Sequence, residues 1–327
     1  MNSESNNSDN KRTITRILTV DSKFKDTDNN KTTSQFQVSF PDRINEVKKM
    51  EIVEYSGPSA IRMISNKQKN NYFTLILKYQ NGTDAQLVIK SPDTYRIERS
   101  IMTSATVISF IKNINNQLSN AVGDFRHGSF KFKHDIVSEV LLNDIIMDRT
   151  ISFVFNKSEA STVSAVVLDF VSPEAGTGTV PLVFEKSLGY ILGYRKGTVL
   201  SSTSLADNKY YIEARSIVDL NDFKYAYLIV DDFISNSESN IITSEIKSQG
   251  NCSGSGSLRQ GGNILGKIIY RNELNYNMHN RVISTPREYY GCVDIQKLKI
   301  ALVNEYGDYI DTQQLDWSFT LRLTSVV

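Results

Sequence analysis

Histidine, cysteine and tryptophan are nearly missing from this chain: 327 residues hold three, two and one of them. Two cysteines, Cys252 and Cys292, cannot build a disulfide framework or a four-cysteine zinc site. The histidines, His127, His134 and His279, have no cysteine partner at ligand spacing and read as solvated or core residues. No G-x-S-x-G, P-loop or H-E-x-x-H segment occurs, so the commonest hydrolase, nucleotide and metalloprotease chemistries lack their groups. Excess charge is missing too. With 37 basic and 36 acidic residues the net charge is +1, which removes the bulk electrostatic reason to expect direct nucleic-acid binding. No apolar run approaches the roughly eighteen residues of a membrane span, so no transmembrane segment is expected. The opening MNSESNNSDN has no apolar core of a signal peptide. Synthesis and residence in a reducing, soluble compartment follow as the expectation, with the Asn-x-Ser/Thr triplets at Asn30, Asn81 and Asn156 read as chance.

What is present is alternation. From Leu315 to Thr324 the apolar residues Leu315, Trp317, Phe319, Leu321 and Leu323 share one parity, the period of a strand with one buried face. Val293 to Val303 reads as its hairpin partner across a Glu305-Tyr306-Gly307-Asp308 turn, with a bulge near Gln296 or Lys297 where the apolar parity switches. A second hairpin spans Asn71 to Lys90: Phe73, Leu75, Leu77 and Tyr79 go out, Asn81-Gly82 turns, and Ala85, Leu87 and Ile89 return. Phe36 to Phe40 is a short strand stopped by Pro41, and Val47 to Tyr55 another, ended by Ser56-Gly57-Pro58. Further strands are expected around Phe130, Phe153, Val163–Val171, Tyr210–Val218, Tyr225–Phe233 and Ile264–Tyr270. One helix interrupts them, with Ser104 at its N-cap and Val107, Ile108, Ile111, Ile114 and Leu118 on a stripe that packs over a sheet end. In Ser187-Leu188-Gly189-Tyr190-Ile191-Leu192-Gly193-Tyr194 two Leu-Gly pairs predict a short helix pressed against another backbone. Residues 235–262 form a Ser/Asn/Gly-rich loop.

Strand following strand excludes a doubly wound α/β fold. The fold class is mainly β: an antiparallel β-sandwich of jelly-roll type with one long inserted helix. Residues 1–12 read as a flexible polar arm and 13–327 as one jelly-roll-like domain with long loops. Lys11, Arg12 and Arg16 interleave with Ile14, Ile17 and Leu18, and two readings stand: an arm that adds to a neighbouring subunit, or simply the first strand with solvated charges. After Pro286, Arg287, Tyr289 and Tyr290 read as a surface turn with interface-type residues, against the plainer reading that a tyrosine caps the sandwich end. Asp231-Asp232 is the best acidic pair, but neighbours on a strand face opposite ways, and a strand-end loop is the simple account. No cofactor is called for.

Four stretches taken in order resemble structural proteins of nucleocytoplasmic large DNA viruses, the giant viruses and their relatives. They are RILTVDSKFKD with SQFQVSFPDRINEVKKMEIVEYSGPSA, then SLGYILGYR, then YYIEARSIVDLNDFKYAYLIVDDF, then TPREYYGCVDIQKLKIALVNEYGDYIDTQQLDWSFTL. The resemblance implies a virion component of penton or minor-capsid kind, without catalysis, made in the host cytoplasm. Its implied partners are copies of itself and other capsid proteins, a major capsid protein among them. The alternative is a jelly-roll attachment protein whose tyrosines, 16 in all, stack on receptor glycans. A β-sandwich hydrolase is a third class, and it lacks an acid/base pair at usable spacing.

Overall fold

The computed structural model describes residues 12–26, 32–58, 60–66, 70–92, 94–97, 104–132, 150–157, 162–172, 184–204, 208–218, 225–234, 240–241, 261–270 and 281–327. Lys11, the arm at 1–11, most of the 235–262 loop, Cys252, His134 and His279 lie outside them. The chain forms two compact units, one from residues 1–61 and 223–327, the other from residues 62–222.

In chain order the first unit opens with β1 (Thr13–Asp21) and β2 (Gln35–Ser56), and β3 (Ala60–Ile64) follows. The second unit holds β4 (Tyr72–Tyr79), β5 (Asp84–Lys90), β6 (Thr94–Ile97), α1 (Ser104–Ser119), β7 (Gly128–Phe132), β8 (Thr150–Asn156) and β9 (Val163–Asp169). It continues through α2 (Leu188–Ile191), β10 (Thr198–Leu200), β11 (Ser202–Ser204) and β12 (Lys209–Ile217). The chain then returns to the first unit with β13 (Tyr225–Asp231), β14 (Asn240–Ile241), β15 (Gly261–Gly262) and β16 (Ile264–Ile269). It ends with β17 (Arg281–Ser284), β18 (Arg287–Val303) and β19 (Ser318–Val326). The described pairings are antiparallel, as the strand-after-strand pattern requires.

The first unit is one seven-stranded sheet, ordered β1-β19-β2-β18-β13-β16-β17. Its two long strands break register three times along β18, one break falling between Ile295 and Lys297 as the parity switch predicts. Bulges bend and twist a strand. Glu46 (φ 58°) and Gly291 (φ 102°) take up the left-handed backbone there. The sheet curls until β17 comes back to β2, where the Ile52 amide donates to Ser284 Oγ at 3.0 Å. Pro41 does not stop a strand. It lies between Ser39 and Ile44, where the register shifts and the ladder asks no amide of it, so β2 runs on.

The expected C-terminal hairpin is also revised. The turn forms: Asn304 Oδ1 accepts the amides of Tyr306 and Asp308, each at 2.9 Å, and Gly307 adopts φ 83°. The chain then leaves after a single bridge, Val303 to Tyr309, and β2 lies between β18 and β19. The core parity is as read. Trp317, Phe319, Leu321 and Leu323 are buried, and the Trp317 ring packs against Phe36, Tyr55 and Phe319 with centroids 5.6, 5.7 and 5.7 Å away. Its indole N–H donates to the Thr33 carbonyl at 2.6 Å, so burial leaves no polar atom wanting. Leu315, half-buried, stands outside the strand.

The second unit pairs two four-stranded sheets, β10-β9-β4-β5 and β11-β12-β8-β7. In the β4–β5 hairpin Phe73, Leu75 and Leu77 stand across from Ile89, Leu87 and Ala85, but the loop is one residue longer than a two-residue Asn81-Gly82 turn. The Tyr79 amide reaches the Thr83 carbonyl at 2.9 Å, Gly82 and not Asn81 takes positive φ (81°), and Asn81 Oδ1 accepts the Thr83 amide at 3.0 Å. Helix α1 buries Val107, Phe110, Ile111, Ile114 and Leu118; Ile108, expected on that stripe, is exposed and Phe110 takes its place. The α2 turn is as close as its glycines suggest. A Cβ on Gly193 would meet the Ser216 carbonyl oxygen at 2.1 Å, and one on Gly189 the Phe170 ring at 2.3 Å.

Candidate functional site

Among the described residues no three His, Cys, Asp or Glu side chains gather as a metal site, and no helix is long and apolar enough to cross a membrane. Among the described residues the fold assembles a buried ionic cluster in the first unit and leaves β1 at the edge of its sheet.

The cluster joins β13 to β18. Asp232 follows the last residue of β13, and its Oδ2 accepts from Arg287 Nη1 at 2.7 Å and from the Tyr289 hydroxyl. Arg287 Nη2 donates to the Val230 carbonyl at 2.7 Å, and the Asp232 Oδ1 accepts the Ile234 amide at 3.0 Å. Arg287 is 3% exposed. A guanidinium so enclosed persists only with its charge paired and its donors satisfied. Burial, and then the Asp232 carboxylate, push the Tyr289 phenol far above its usual range, with Arg287 opposing.

This placement corrects one expectation. Arg287 begins a 17-residue strand rather than lying in a surface turn, because Pro286 ends just before the ladder needs an amide. Arg287 and Tyr289 are spent inside the unit, whereas Tyr290, 67% exposed, points outward by strand alternation. Sequence reasoning weighed Asp232 with Asp231 and set both aside as a strand-end loop; the structure buries Asp232 against Arg287, while Asp231 accepts the Phe233 amide at 2.9 Å. The signal that could have found it is the meeting of an Arg-x-Tyr alternation with a lone strand-end acid, but the two lie 55 residues apart.

The edges divide sharply. In the second unit α1 caps one residue on each of two edges: Asn115 bonds both the amide and the carbonyl of Phe130 (2.7 and 2.9 Å), and Gln117 bonds both those of Lys90. On the far side β10 and β11 follow each other with only Ser201 between, and its amide and hydroxyl close onto Val166 at 2.8 and 3.1 Å. In the first unit, β17 is four residues long and tied to β2, and the outer side of early β2 is capped where the Asp26 amide reaches the Gln37 carbonyl at 2.9 Å. Such devices keep edges from pairing with other chains.

Strand β1 has no such device among the described residues. It pairs with β19 along all nine of its residues, and no described strand pairs with its other side. Arg12 and Arg16 are exposed there, as are Ile14 (44%), Ile17 (60%) and, in the turn just beyond, Phe24 (79%). Of the candidate interface residues the structure therefore brings Arg12 and Arg16 together on β1 and its start, and sets Tyr290 apart on β18. On the neighbouring outer face an ionic ladder runs from Arg322 to Glu51 (3.0 Å) and from Lys49 to Glu51 and Glu288 (3.8 and 3.9 Å). Across β13 and β16, Lys267 Nζ sits 3.7 Å from the Tyr225 ring centroid, with Tyr227 edge-on at 5.4 Å from Tyr225. Burial, then Tyr227 and Glu305, push the Tyr225 phenol up to about 12.

No protein-family model and no curated protein matches the chain. Among solved structures, a chain of the Sputnik virophage seen by cryo-EM is similar over 96% of this chain and 98% of its own, at 14% identity and a TM-score of 0.36. The mavirus penton protein is similar over 97% of this chain and all (100%) of its own, at 8% identity and a TM-score of 0.34. The chain is thus similar, at low score, to a Sputnik virophage chain and to the mavirus penton protein, and scores this low add no argument about function.

Proposed function

We propose that the protein is a non-enzymatic virion subunit of a large DNA virus, penton-like or minor-capsid in kind, that works by associating with itself and docking on other capsid proteins. The observation that supports it most is the open β1 edge of a sheet that contains most of the segments resembling viral structural proteins. RILTVDSKFKD is β1 and its turn, SQFQVSF opens β2, YAYLIVDD is β13, and the C-terminal segment is β18 with β19. A first strand that pairs on one side only, in a sheet whose other end β17 is tied back to β2, offers an edge that an outside strand can complete. The two units then act as one building block, with Tyr290, Arg12 and Arg16 offered at the surface. Virion proteomics tests this, together with the native mass of the purified chain. Presence in purified particles and concentration-dependent association are expected; a strict monomer absent from particles overturns it.

The attachment reading has one observation in its favour. Tyr225 and Tyr227 lie half-buried on one face beside Lys267, an arrangement that could stack a sugar ring once the ammonium moves aside. Glycan-array binding that is lost in Tyr225→Ala separates it from the assembly reading.

A further inference from the structure

The bare side of β1 presents a row of amides and carbonyls that another extended backbone can pair in register. We propose that a second copy of this chain completes it, β1 against β1, antiparallel about a two-fold axis at Leu18. This rests on the self-associating reading above and narrows it to one seam.

The occupant and the register both follow from complementarity. A two-fold axis normal to the sheet keeps like faces on the same side, so residues pair only with partners of equal parity. Pairing within the unit fixes those faces. Leu18 and Val20 lie beside Leu321 and Phe319 on the core side, while Ile17 lies beside Arg322 on the outer side. An axis at Arg16 sets two guanidinium groups face to face, and an axis at Ile17 leaves them on adjoining diagonals, within about 8 Å. An axis at Leu18 avoids both. It opposes Leu18 to its own copy, Ile17 to Thr19, Arg16 to Val20 and Thr15 to Asp21, and the two Arg16 residues stand about 13 Å apart along the seam. The same register carries Arg12 of one copy to the level of Phe24 of the other. Both are exposed in the single chain, and a guanidinium over a ring face is a favourable contact. The strand supplies what its own edge demands: Thr, Ile, Leu and Val over most of its length, one cation in its middle and one acid at its end.

The test uses the full chain carrying Cys252→Ser and Cys292→Ser, with one new cysteine at a time. Under mild oxidation Leu18→Cys is expected to give a covalent dimer on a non-reducing gel, because that position faces itself across the seam. Thr15→Cys, which faces Asp21, is expected to stay uncrosslinked. In the otherwise unaltered chain, Ile17→Lys points away from the core and is expected to keep the melting temperature while weakening association at least tenfold by sedimentation. Association that persists in Ile17→Lys, with Leu18→Cys failing to crosslink, overturns the seam and leaves self-association standing, the edge being then filled by another protein or by residues 1–11. A chain that is monomeric at every concentration overturns both. Absence from purified particles, with the dimer intact, overturns the virion reading alone.

Discussion

At the scale of single residues the first unit depends most on Asp232, a carboxylate that takes an arginine, a tyrosine and a backbone amide at once. Removing one member of a buried ion pair strands the other, which costs about 3–5 kcal/mol, far more than the pair is worth against an apolar substitute. Arg287→Ala is therefore expected to lower the unfolding free energy of the first unit by about that much in denaturant titration. Tyr290→Ala, on the outward side of the same strand, should change it by under about 0.5 kcal/mol. Equal losses would show that the cluster does not carry the strand. A pH dependence belongs to the same scale. The phenols of Tyr289 and, in the second unit, Tyr194 are both raised by burial above the ordinary 10.0, so the folded chain holds protons that the unfolded chain gives up. Their contribution is fully present below pH 10 and is lost as the pH climbs beyond it. Thermal melts between pH 8 and pH 11, in rough steps, should show stability falling above about 10, and less steeply in Tyr289→Phe.

Among elements, β19 and β2 decide the core. Trp317 stands at the mouth of β19 amid three aromatic rings, and truncating it to Ala opens a cavity expected to cost about 3–5 kcal/mol. Ser318, the next residue and of the other parity, should cost under about 1 kcal/mol when replaced by Ala. Comparable losses from the two would mean that the buried face is wrongly assigned. These faces were legible because alternation depends only on the strand's own pleat. Strand neighbours were not. Val293–Val303 and Leu315–Thr324 carry every local mark of a hairpin, and the turn between them does form. The pairing goes instead to β2, some 250 residues earlier in the chain, which shows matching faces to both strands. Nothing in either local stretch encodes that choice.

For the molecule as a whole, several described edges carry a contact from a helix, a crossing chain or a neighbouring strand, and β1 carries none that the described residues supply. An edge strand left with one unpaired side is where an assembly contact would be expected. Residues 2–11 precede that strand and offer no apolar side chain. Deleting them should leave the melting temperature within about 2 °C, since surface changes of this kind act by fractions of a kcal/mol. Incorporation into particles, scored by immunoblot of purified virions, is expected to fall. Normal packaging of the deletion would make the segment a passive tail.

Composition and alternation by themselves determined that this chain is a mainly antiparallel β protein with one amphipathic helix, since both signals arise from backbone period and from which side chains leave water. They also determined where two turns sit, because Gly82 and Gly307 are at ease with the positive φ they adopt. Only the tertiary structure decided which strands are neighbours, and that Arg287 faces inward to Asp232 while Tyr290 faces out. It alone decided that β1 lies at the edge of the seven-stranded sheet, paired on one side by β19. Those outcomes depend on residues far apart in the chain, 55 positions for the Arg287–Asp232 pair and hundreds for the β2 ladder, and no local pattern records that dependence.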